Sequence, residues 1–499
     1  MKQLKIEQLF YLLLLAVIFV LLFSTTTSPV YYKPFSVDSA AFQLIGKYWN
    51  EGYLPYVDLW DLKGPAIFWI NAVGYWMTGS ALGVFIIQVF FLTGFLLVAY
   101  KMLMMEYSSK WASILTIVIL IAGVFSYSDG NTVEEYALPF LMGSFYCLYR
   151  WGQYVSIEKT VVYHKPVWAF MYGLTFAFCL LTRVTNAVGM CFGVLVVLFY
   201  LICYGAWHNI FRNMLAFVSG CMLLIIPFAV YFASKGALYD LWYGTILYSI
   251  KYYENSSFGF FSLPWKSMIY MLMVWISYVL LFLIGIIKVF FLKRQKIAGL
   301  LWLSVSIGTF LWIFTSNGFV HYNIIGIPYI CIAMCELVHI KKRQGKGVVR
   351  LLNAIAVMSV LLFCVQSVYI SQKTFRLLLK IEVNVNNKAY EEILENVPKK
   401  EWDSLVAYNV SPEFYLYNGI RPCYKYFGFQ DWEVRLNSEF RKLLREPFLS
   451  CEAKWIVVEN YALCISDILR QHYELVYRSE FNPDFMLYKL KDMEYNKFS

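Results

Sequence analysis

The sequence predicts a polytopic α-helical membrane protein with a small α/β domain at its C-terminus, and three observations support this fold class. Hydrophobic residues make up 60% of the 499 positions and charged residues only 15%, which is too apolar for a soluble globular protein of this length. Apolar runs of membrane-spanning length recur up to Ile370, whereas charges are frequent in residues 371–499. We therefore predict a transmembrane domain over residues 1–370, with a first outer loop at 25–65, and an α/β domain over 371–499.

The apolar runs predict about eleven transmembrane helices, because a membrane helix needs ~20 apolar residues and fewer when neighbouring helices bury it. These helices lie near residues 9–24, 82–104, 111–126, 137–150, 168–182, 187–204, 214–233, 267–288, 298–315, 322–338 and 351–370. The N-terminal run has the layout of a signal peptide, but no small-residue cleavage site follows it. We expect it to remain as the first membrane helix.

The distribution of basic residues predicts the orientation in the membrane. The net charge of +10 comes from lysines and arginines in short links on one side of the predicted spans, and the positive-inside rule makes that side cytoplasmic. The links on the other side are polar without being basic; they are Ser36–Pro65, Ser126–Tyr136, Leu181–Asn186, Ser234–Lys266 and Ser316–Tyr322. The N-terminus is therefore predicted to be cytoplasmic and the C-terminal domain extracytoplasmic, with no nucleic-acid partner.

The C-terminal segment is predicted to alternate between short strands and helices. The runs that carry this pattern are DSLVAYNV, SPEFYLYNG, YKYFGF, KWIVVEN, YELVYR and FMLYKL. Asn418-Gly419 and Asn482-Pro483 supply turn signals between them. The segment is long enough for a small α/β domain.

The sequence contains no recognisable motif for binding a metal ion or a cofactor. The eleven cysteines include no C-x-x-C pair and mostly lie in apolar runs, which argues against a disulfide framework and a zinc site. The five histidines show no metal-ligand spacing. The sequence also contains no phosphate-binding glycine loop and no nucleophile elbow. We predict that no cofactor is used and that a divalent metal, although compatible with the chain, is not supported.

Asp38 begins the polar stretch that follows the first apolar segment. A carboxylate close to a membrane is costly to bury and is rarely kept without a use, so Asp38 is a candidate general base that accepts a proton from a hydroxyl. The alternative is an N-cap aspartate for the amphipathic run Ala40–Trp49. That run predicts a helix on the membrane surface with Phe42, Ile45 and Trp49 facing lipid.

Asp58, Asp61 and Lys63 lie in the run P-Y-V-D-L-W-D-L-K-G-P, where prolines and glycine stiffen the backbone. The ammonium group of Lys63 is a suitable point charge for a phosphate. The alternative is a solvated loop whose local ion pairs contribute little to stability.

Glu134 and Glu135 form an acidic pair in the second outer loop, DGNTVEEYALPF. Acidic residues at this position are commonly partners of a helix N-terminal dipole. The sharper hypothesis is a second functional carboxylate that acts together with Asp38. The sequence alone leaves both alternatives open.

Arg183 interrupts two apolar runs in CLLTRVTNAVG, and His321 and Tyr322 end the loop SNGFVHY. An arginine in such a position either extends toward water or binds an anion. His and Tyr at this depth are often anchors in the headgroup region, and a basic group there is also a candidate phosphate contact.

Four motifs in the chain resemble those of the membrane glycosyltransferases of the GT-C type, in the family 39 or RgtABCD-like group of protein O-mannosyltransferase and aminoarabinose transferase relatives. They are V-D-S-A-A-F, E-G-Y-L-P-Y-V-D-L-W-D-L-K-G-P, N-T-V-E-E-Y-A-L-P-F, and N-V-S-P-E-F-Y-L-Y-N-G-I-R-P-C-Y-K-Y-F. The second motif is similar to the family's G-x-x-P-Y-x-D followed by K-P-P. Gly64 replaces the first proline of K-P-P, and Asp38 has no acidic neighbour that would complete a metal-binding pair.

The resemblance implies an inverting transfer of a sugar from a polyprenyl-phosphate donor to an acceptor hydroxyl outside the cell membrane. It assigns Asp38 as the general base and Lys63 as the contact to the donor phosphate. It also implies further contacts to the donor phosphate from Arg183, His321 and Tyr322. Contacts to the sugar or the acceptor are implied for four acidic residues, Asp58, Asp61, Glu134 and Glu135. The partners implied are membrane lipid and an acceptor that is a glycan, a lipid or a protein.

Two other classes of function are compatible with a polytopic chain. A transporter or flippase of a lipid-linked saccharide is expected to carry ionisable groups at mid-membrane and repeated, broken helices. Here the charges concentrate in loops and no internal repeat is found. A structural or assembly protein is the third hypothesis, and it predicts that Asp38, Lys63 and Glu134 do not share a cavity.

Overall fold

The computed structural model describes residues 4–491, except 33–35, 128, 158–162, 256–264, 266–267, 269–275, 293–294, 316–318, 342–345, 380–384, 437–439 and 451. The chain divides into two compact units. The first, here called the helical unit, contains residues 1–30, 84–234 and 257–376. The second, here called the mixed unit, contains residues 31–83, 235–256 and 377–499. The mixed unit thus joins the C-terminal segment to two stretches that the sequence analysis places in the transmembrane domain.

Long apolar helices make up the helical unit. They are α1 (Ile6–Phe23), α4 (Ala81–Glu106), α5 (Ser109–Val124), α6 (Val133–Ile157), α7 (Pro166–Leu180), α8 (Val188–Cys203), α9 (Trp207–Ser234), α12 (Ile276–Phe291), α13 (Lys296–Thr315), α14 (Ile327–Lys341) and α15 (Lys346–Leu378). Within the described residues, seven helical stretches are long and apolar enough to cross a membrane, and three shorter apolar helices accompany them. The predicted polytopic fold is confirmed. The first residues of the predicted span at 267–288 lie outside the described residues.

Helices α7 and α9 pack with their backbones in close approach at two glycines. A Cβ atom on Gly173 would lie 2.0 Å from the Phe217 carbonyl oxygen, and one on Gly220 would lie 2.3 Å from the Phe170 carbonyl oxygen. Small residues at such crossings allow the tight van der Waals packing that drives helix association in lipid. The thiol of Cys221 adds a hydrogen bond to the Gly173 carbonyl at 3.3 Å.

A buried ion pair connects three helices of the helical unit. Lys288 on α12 pairs with Glu336 on α14, and both side chains are almost completely buried. The second carboxylate oxygen of Glu336 accepts a hydrogen bond from the indole Nε1 of Trp302 on α13 at 2.8 Å. Both charges therefore have polar partners despite their apolar surroundings, as buried charges require.

The mixed unit contains two helices before α4 and the C-terminal sheet. Its helices are α2 (Val37–Asn50), α3 (Pro65–Thr78), α10 (Leu238–Trp242), α11 (Tyr248–Asn255), α16 (Val385–Glu395), α17 (Glu413–Asn418), α18 (Gln430–Leu436), α19 (Phe440–Leu449) and α20 (Ser466–His472). Its strands are β1 (Leu405–Tyr408), β2 (Trp455–Glu459), β3 (Tyr473–Arg478) and β4 (Phe485–Leu490). A π-helical turn, Tyr243–Leu247, lies between α10 and α11.

The four strands form one sheet in the order β1-β2-β4-β3. Strands β1 and β2 are parallel, with Leu405 opposite Trp455, whereas β4 runs antiparallel to both β2 and β3. The apolar faces of β1 and β2 are buried throughout. Together with α17, α19 and α20, the sheet forms the predicted α/β fold.

Two local predictions about the mixed unit are wrong. The run YKYFGF (residues 424–429) forms a loop and no strand, and the Lys425 carbonyl of this loop accepts a hydrogen bond from the Trp60 amide. Phe42 and Ile45 do not face lipid; each is only 1% exposed. Helix α2 packs against α3, with the rings of Phe42 and Phe68 6.1 Å apart, so its apolar face is buried within the protein.

Candidate functional site

The loop between α2 and α3 is held by its own side chains. Tyr56 is completely buried at a positive φ of 69°, and its hydroxyl donates a hydrogen bond to the Lys63 carbonyl at 2.6 Å. The Asp58 carboxylate accepts the Leu54 amide at 2.6 Å, and the Asp61 carboxylate accepts the Lys63 amide at 2.8 Å. The loop therefore presents Asp61 and Lys63 on a backbone with a defined conformation.

Gly244 allows the π-helical turn to approach this loop. A Cβ atom at Gly244 would lie 2.3 Å from the Tyr56 ring, so any larger residue would displace the ring. The turn also brings Thr245 to the Tyr56 hydroxyl, at 3.4 Å. A π-helical turn is rare and is frequently found at functional sites.

Gly64 has a backbone conformation that proline also adopts. It precedes the first residue of α3, Pro65, with φ −68° and ψ 159°, and proline fixes φ near the same value. The replacement of the first proline of K-P-P by Gly64 therefore leaves the path of the backbone after Lys63 unchanged.

Asp38 is the second residue of α2 and is partly exposed. Ser36, not Asp38, is the N-cap residue, so the N-cap interpretation of Asp38 is wrong. A carboxylate in the first turn of a helix is stabilised in its ionised form by the helix dipole. Asp38 thus lies in the first turn of α2 with its side chain partly accessible.

The Asp61 carboxyl interacts electrostatically with both Asp38 and Lys63. Burial raises the pKa of the Asp61 carboxyl above its usual range, the Asp38 carboxylate raises it further, and the Lys63 ammonium lowers it. Opposing shifts among neighbouring groups are typical of functional sites. The structure therefore brings together three of the predicted residues in what we call the loop cluster.

Glu433 on α18 is a fourth member of the loop cluster. Its carboxylate accepts a hydrogen bond from the Tyr248 hydroxyl. Burial raises the pKa of Glu433 to about 7, with Asp61 raising it and Lys63 lowering it. No motif in the sequence pointed to Glu433, which lies 185 positions from Tyr248.

Glu433 predicts a pH dependence of stability. Because its folded-state pKa of about 7 exceeds the ordinary value of 4.5, the folded protein binds more protons than the unfolded protein between these values, and stability falls as pH rises through this window. We expect Glu433→Gln to remove part of this dependence of stability on pH. The melting temperature of E433Q should therefore rise relative to that of the parent as the pH increases from about 5 to about 8.

The measurement is thermal unfolding of the purified protein in detergent across this pH range. Glu446→Gln is the matched control because Glu446 is an exposed residue of α19, and it should leave the slope unchanged. Identical slopes for the parent and E433Q would contradict the assignment.

Trp60 joins the loop cluster to the C-terminal segment. Its backbone amide donates to the Lys425 carbonyl at 3.0 Å, and its ring lies 5.0 Å from the Tyr248 ring, 5.9 Å from the Tyr426 ring and 5.8 Å from the Phe440 ring. The Lys425 ammonium lies 5.4 Å from the indole, and burial lowers the pKa of Lys425. Aromatic packing of this kind holds the loop between α2 and α3 against the C-terminal segment of the mixed unit.

The predicted residues of the helical unit form a second group, the arginine cluster. Arg183 pairs with Glu134 at 3.0 Å, and its guanidinium lies 3.5 Å from the Tyr322 ring centroid and 5.0 Å from that of Trp312. The His321 ring packs edge-on against Tyr322 at 4.7 Å. The structure therefore brings Glu134, Arg183, His321 and Tyr322 together, and the pairing with Glu134 compensates the arginine charge.

Several buried polar atoms on the segments that carry the arginine cluster have no hydrogen-bond partner among the described residues. They are Oε2 of Glu134, Oγ1 of Thr132, Oγ1 of Thr185 and Nδ2 of Asn186. Asn186 follows Arg183 by one turn of a 3₁₀-helix, Val184–Ala187. Buried polar atoms in native proteins are nearly always paired, with a ligand or water where the chain offers no partner. The set combines acceptors with donors, which matches the hydrogen-bonding pattern of hydroxyl groups.

Glu135 has surroundings that differ from those of its neighbour Glu134. It accepts hydrogen bonds from the Tyr127 hydroxyl, from Nε2 of Gln88 at 2.9 Å and from the Asn131 amide at 2.9 Å. These bonds join the second outer loop to α4. Among the described residues, no group of three or more His, Cys, Asp or Glu side chains is arranged to hold a metal ion.

Two solved structures of ArnT share their fold with nearly the whole chain. ArnT from Cupriavidus metallidurans bound to undecaprenyl phosphate superposes with a TM-score of 0.56 at 12% identity, over 97% of this chain and 98% of that one. The apo state of the same ArnT gives 0.56 at 12% identity over 95% and 97%. The oligosaccharyltransferase AglB from Archaeoglobus fulgidus gives 0.49 at 12% identity over 97% and 74%. A comparison with curated proteins finds no match.

The chain therefore has the polytopic membrane-protein fold of these ArnT structures, which confirms the predicted resemblance at the level of the fold. A family model matches residues 1–396. The chain belongs to the family of the competence-induced protein Ccs4 N-terminal domain.

Proposed function

We propose that this protein is an inverting glycosyltransferase that moves a sugar from a polyprenyl-phosphate donor to an acceptor hydroxyl on the outer face of the membrane. The observation that carries the proposal is the loop cluster, in which the Asp61 carboxyl interacts electrostatically both with the Asp38 carboxylate, in the first turn of α2, and with the Lys63 ammonium, whose backbone amide donates to it at 2.8 Å. A base and a cation are the two groups that this reaction requires. The GT-C fold, shared with an ArnT structure that holds undecaprenyl phosphate, supports the same reaction.

In the proposed reaction, the acceptor hydroxyl oxygen forms a bond to the anomeric carbon while the bond from that carbon to the phosphate oxygen breaks. The Asp38 carboxylate takes the hydroxyl proton. The polyprenyl phosphate departs with the electron pair, and Lys63 stabilises the negative charge that develops on it. No cofactor takes part in this balance.

We assign the arginine cluster to recognition of sugar hydroxyls. The ion pair between Arg183 and Glu134 is compensated in charge, so it suits neutral hydroxyl groups better than a second phosphate. The unpartnered atoms of Glu134 and Asn186 supply an acceptor and a donor. Aromatic rings beside such groups are suited to a sugar ring. His321 and Tyr322 complete this surface. Asp58 and Asp61, in the loop between α2 and α3, are proposed substrate contacts. Glu135 is proposed to position the second outer loop.

We propose an orientation with a cytoplasmic N-terminus and an extracytoplasmic C-terminal domain in the cell membrane. The charge distribution supports it, because lysines and arginines concentrate in the links that would face the cytoplasm. This orientation places the loop cluster outside, where a lipid-linked donor presents its sugar.

Lys63→Met is expected to weaken binding of undecaprenyl phosphate about 10- to 100-fold, because a hydrogen bond to a charged group contributes ~1.5–3 kcal/mol. Binding to the detergent-purified protein, measured by native mass spectrometry, tests this. Lys47→Met is the matched control, since the Lys47 ammonium lies over the Tyr48 ring at 5.1 Å and has no place in the loop cluster. Equal affinities for K63M and the parent would remove Lys63 from the donor site.

The activity itself is tested by incubating the purified protein with polyprenyl-phosphate hexoses and pentoses and a panel of glycan, lipid and peptide acceptors. Release of polyprenyl phosphate together with a glycosylated product supports the proposal. Donor binding without either product across the panel would instead favour a transporter of lipid-linked saccharides.

A further inference from the structure

Glu413 supplies a carboxylate to the start of the helix that carries Asp38. Glu413 is the first residue of α17 and is completely buried. One carboxylate oxygen accepts a hydrogen bond from the backbone amide of Ser36, and the other accepts the Ser411 hydroxyl at 2.7 Å. Glu413 and Ser36 are 377 positions apart, and both belong to the mixed unit.

This contact resembles one half of a capping box. In that motif, a Glu or Gln three residues into a helix accepts the backbone amide of the N-cap residue. In α2 the N-cap residue is Ser36, its side chain makes no capping hydrogen bond, and the third helical position is Ser39, which is too short to reach back. Glu413 from the C-terminal segment takes over this role.

Fixing Ser36 constrains Asp38, which lies two residues further along the backbone. Helix α17 also packs against α2, so the start of α2 is held by both a hydrogen bond and side-chain packing. A buried carboxylate is costly unless it is hydrogen-bonded, and each carboxylate oxygen of Glu413 has a hydrogen-bond donor, the Ser36 amide on one and the Ser411 hydroxyl on the other.

We propose that Glu413 is a positioning residue that sets the location of the Asp38 carboxylate. The proposal rests on the proposed role of Asp38 as general base. A misplacement of a catalytic group by about 1 Å can lower a rate ~100-fold. Loss of Glu413 should therefore lower turnover and leave donor binding, which depends on Lys63, nearly unchanged.

The test compares Glu413→Ala and Glu413→Gln in the full-length protein. We expect E413A to lower kcat about 10- to 100-fold while the KM for the polyprenyl-phosphate donor stays within about 2-fold of the parent. E413Q should recover most of kcat, because its amide oxygen accepts the Ser36 amide and its amide nitrogen donates to the Ser411 hydroxyl.

Glu392→Ala is the matched control for a merely structural effect. The Glu392 carboxylate accepts the Tyr477 hydroxyl at 2.6 Å and the Glu480 amide at 3.0 Å, and also the Ser479 hydroxyl at 2.5 Å. E392A therefore loosens the mixed unit without touching α2, and its kcat should match that of the parent even if its melting temperature falls. A parent-like kcat in E413A, or equal losses in E413A and E392A, would overturn the proposal.

Amide hydrogen exchange gives a readout that does not depend on activity. Exchange in a peptide covering residues 36–41 should be faster in E413A than in the parent, and unchanged in E392A and E413Q. If the parent transfers no sugar, the proposed function fails, and this exchange pattern alone decides whether Glu413 holds the start of α2. Unchanged exchange in E413A would refute that contact.

Discussion

Asp38→Asn is expected to lower kcat/KM for sugar transfer about 10²- to 10⁴-fold, the range that general-base catalysis supplies. Asparagine has nearly the same size as aspartate, so α2 should keep its packing against α3. Its amide cannot accept the proton of the attacking hydroxyl. Asp38 lies in the first turn of α2, and the variant lacks its carboxylate.

The measurement is product formation from a polyprenyl-phosphate sugar by D38N and the parent at equal amounts of folded protein. Glu51→Gln is the matched control, because Glu51 is an exposed carboxylate at the opposite end of the same helix. We expect E51Q to match the parent. Unchanged turnover in D38N would remove Asp38 from the mechanism, and D38N should still bind undecaprenyl phosphate through Lys63.

Lys288→Met is expected to lower the free energy of unfolding by ~3–5 kcal/mol, because it leaves the buried carboxylate of Glu336 without its cation. The Trp302 indole would remain as a hydrogen-bond donor to Glu336, which does not compensate a full charge. The side chains of Lys288 and Glu336 are 0% and 1% exposed, and α12 and α14 also contribute to an apolar cluster whose members are Leu280, Ile284, Ile287, Leu292, Ala333 and Leu352. Water therefore cannot replace the lost partner.

The double variant Lys288→Met/Glu336→Leu should regain most of the lost stability, because removing both charges removes the desolvation cost as well. Lys296→Met is the control, since Lys296 is exposed at the start of α13 and should change little. Denaturant unfolding in detergent measures all four proteins. A K288M variant as stable as the parent, or a double variant less stable than K288M, would contradict this account.

Local patterns of apolar residues were sufficient to predict most of the helices and strands. A membrane helix is recognised by length and apolar composition alone, so the predicted span at 82–104 corresponds to Ala81–Glu106 and the span at 187–204 to Val188–Cys203. The strand in KWIVVEN was also predictable, because its pattern of apolar residues is local. The run YKYFGF has the composition of a strand, but it forms a loop whose Lys425 carbonyl accepts a hydrogen bond from the Trp60 amide.

The candidate site was only partly predictable. Asp38, Lys63 and Glu413 stand in motifs and Glu433 does not, but the roles of Glu433 and Glu413 depend on partners 185 and 377 positions away. Glu134 and Glu135 are adjacent and chemically alike, yet one pairs with Arg183 and the other with Tyr127 and Gln88. Successive residues of a helix point in different directions, so their neighbours depend on packing.

The sequence by itself determined that this protein is a polytopic helical membrane protein with a C-terminal α/β domain, because hydropathy and strand periodicity act over short stretches of chain. Only the tertiary structure decided that the first outer loop belongs to the same compact unit as the C-terminal sheet. It also decided which carboxylates surround Lys63. Burial and electrostatic coupling depend on distances between remote residues, and those distances exist only once the chain has folded.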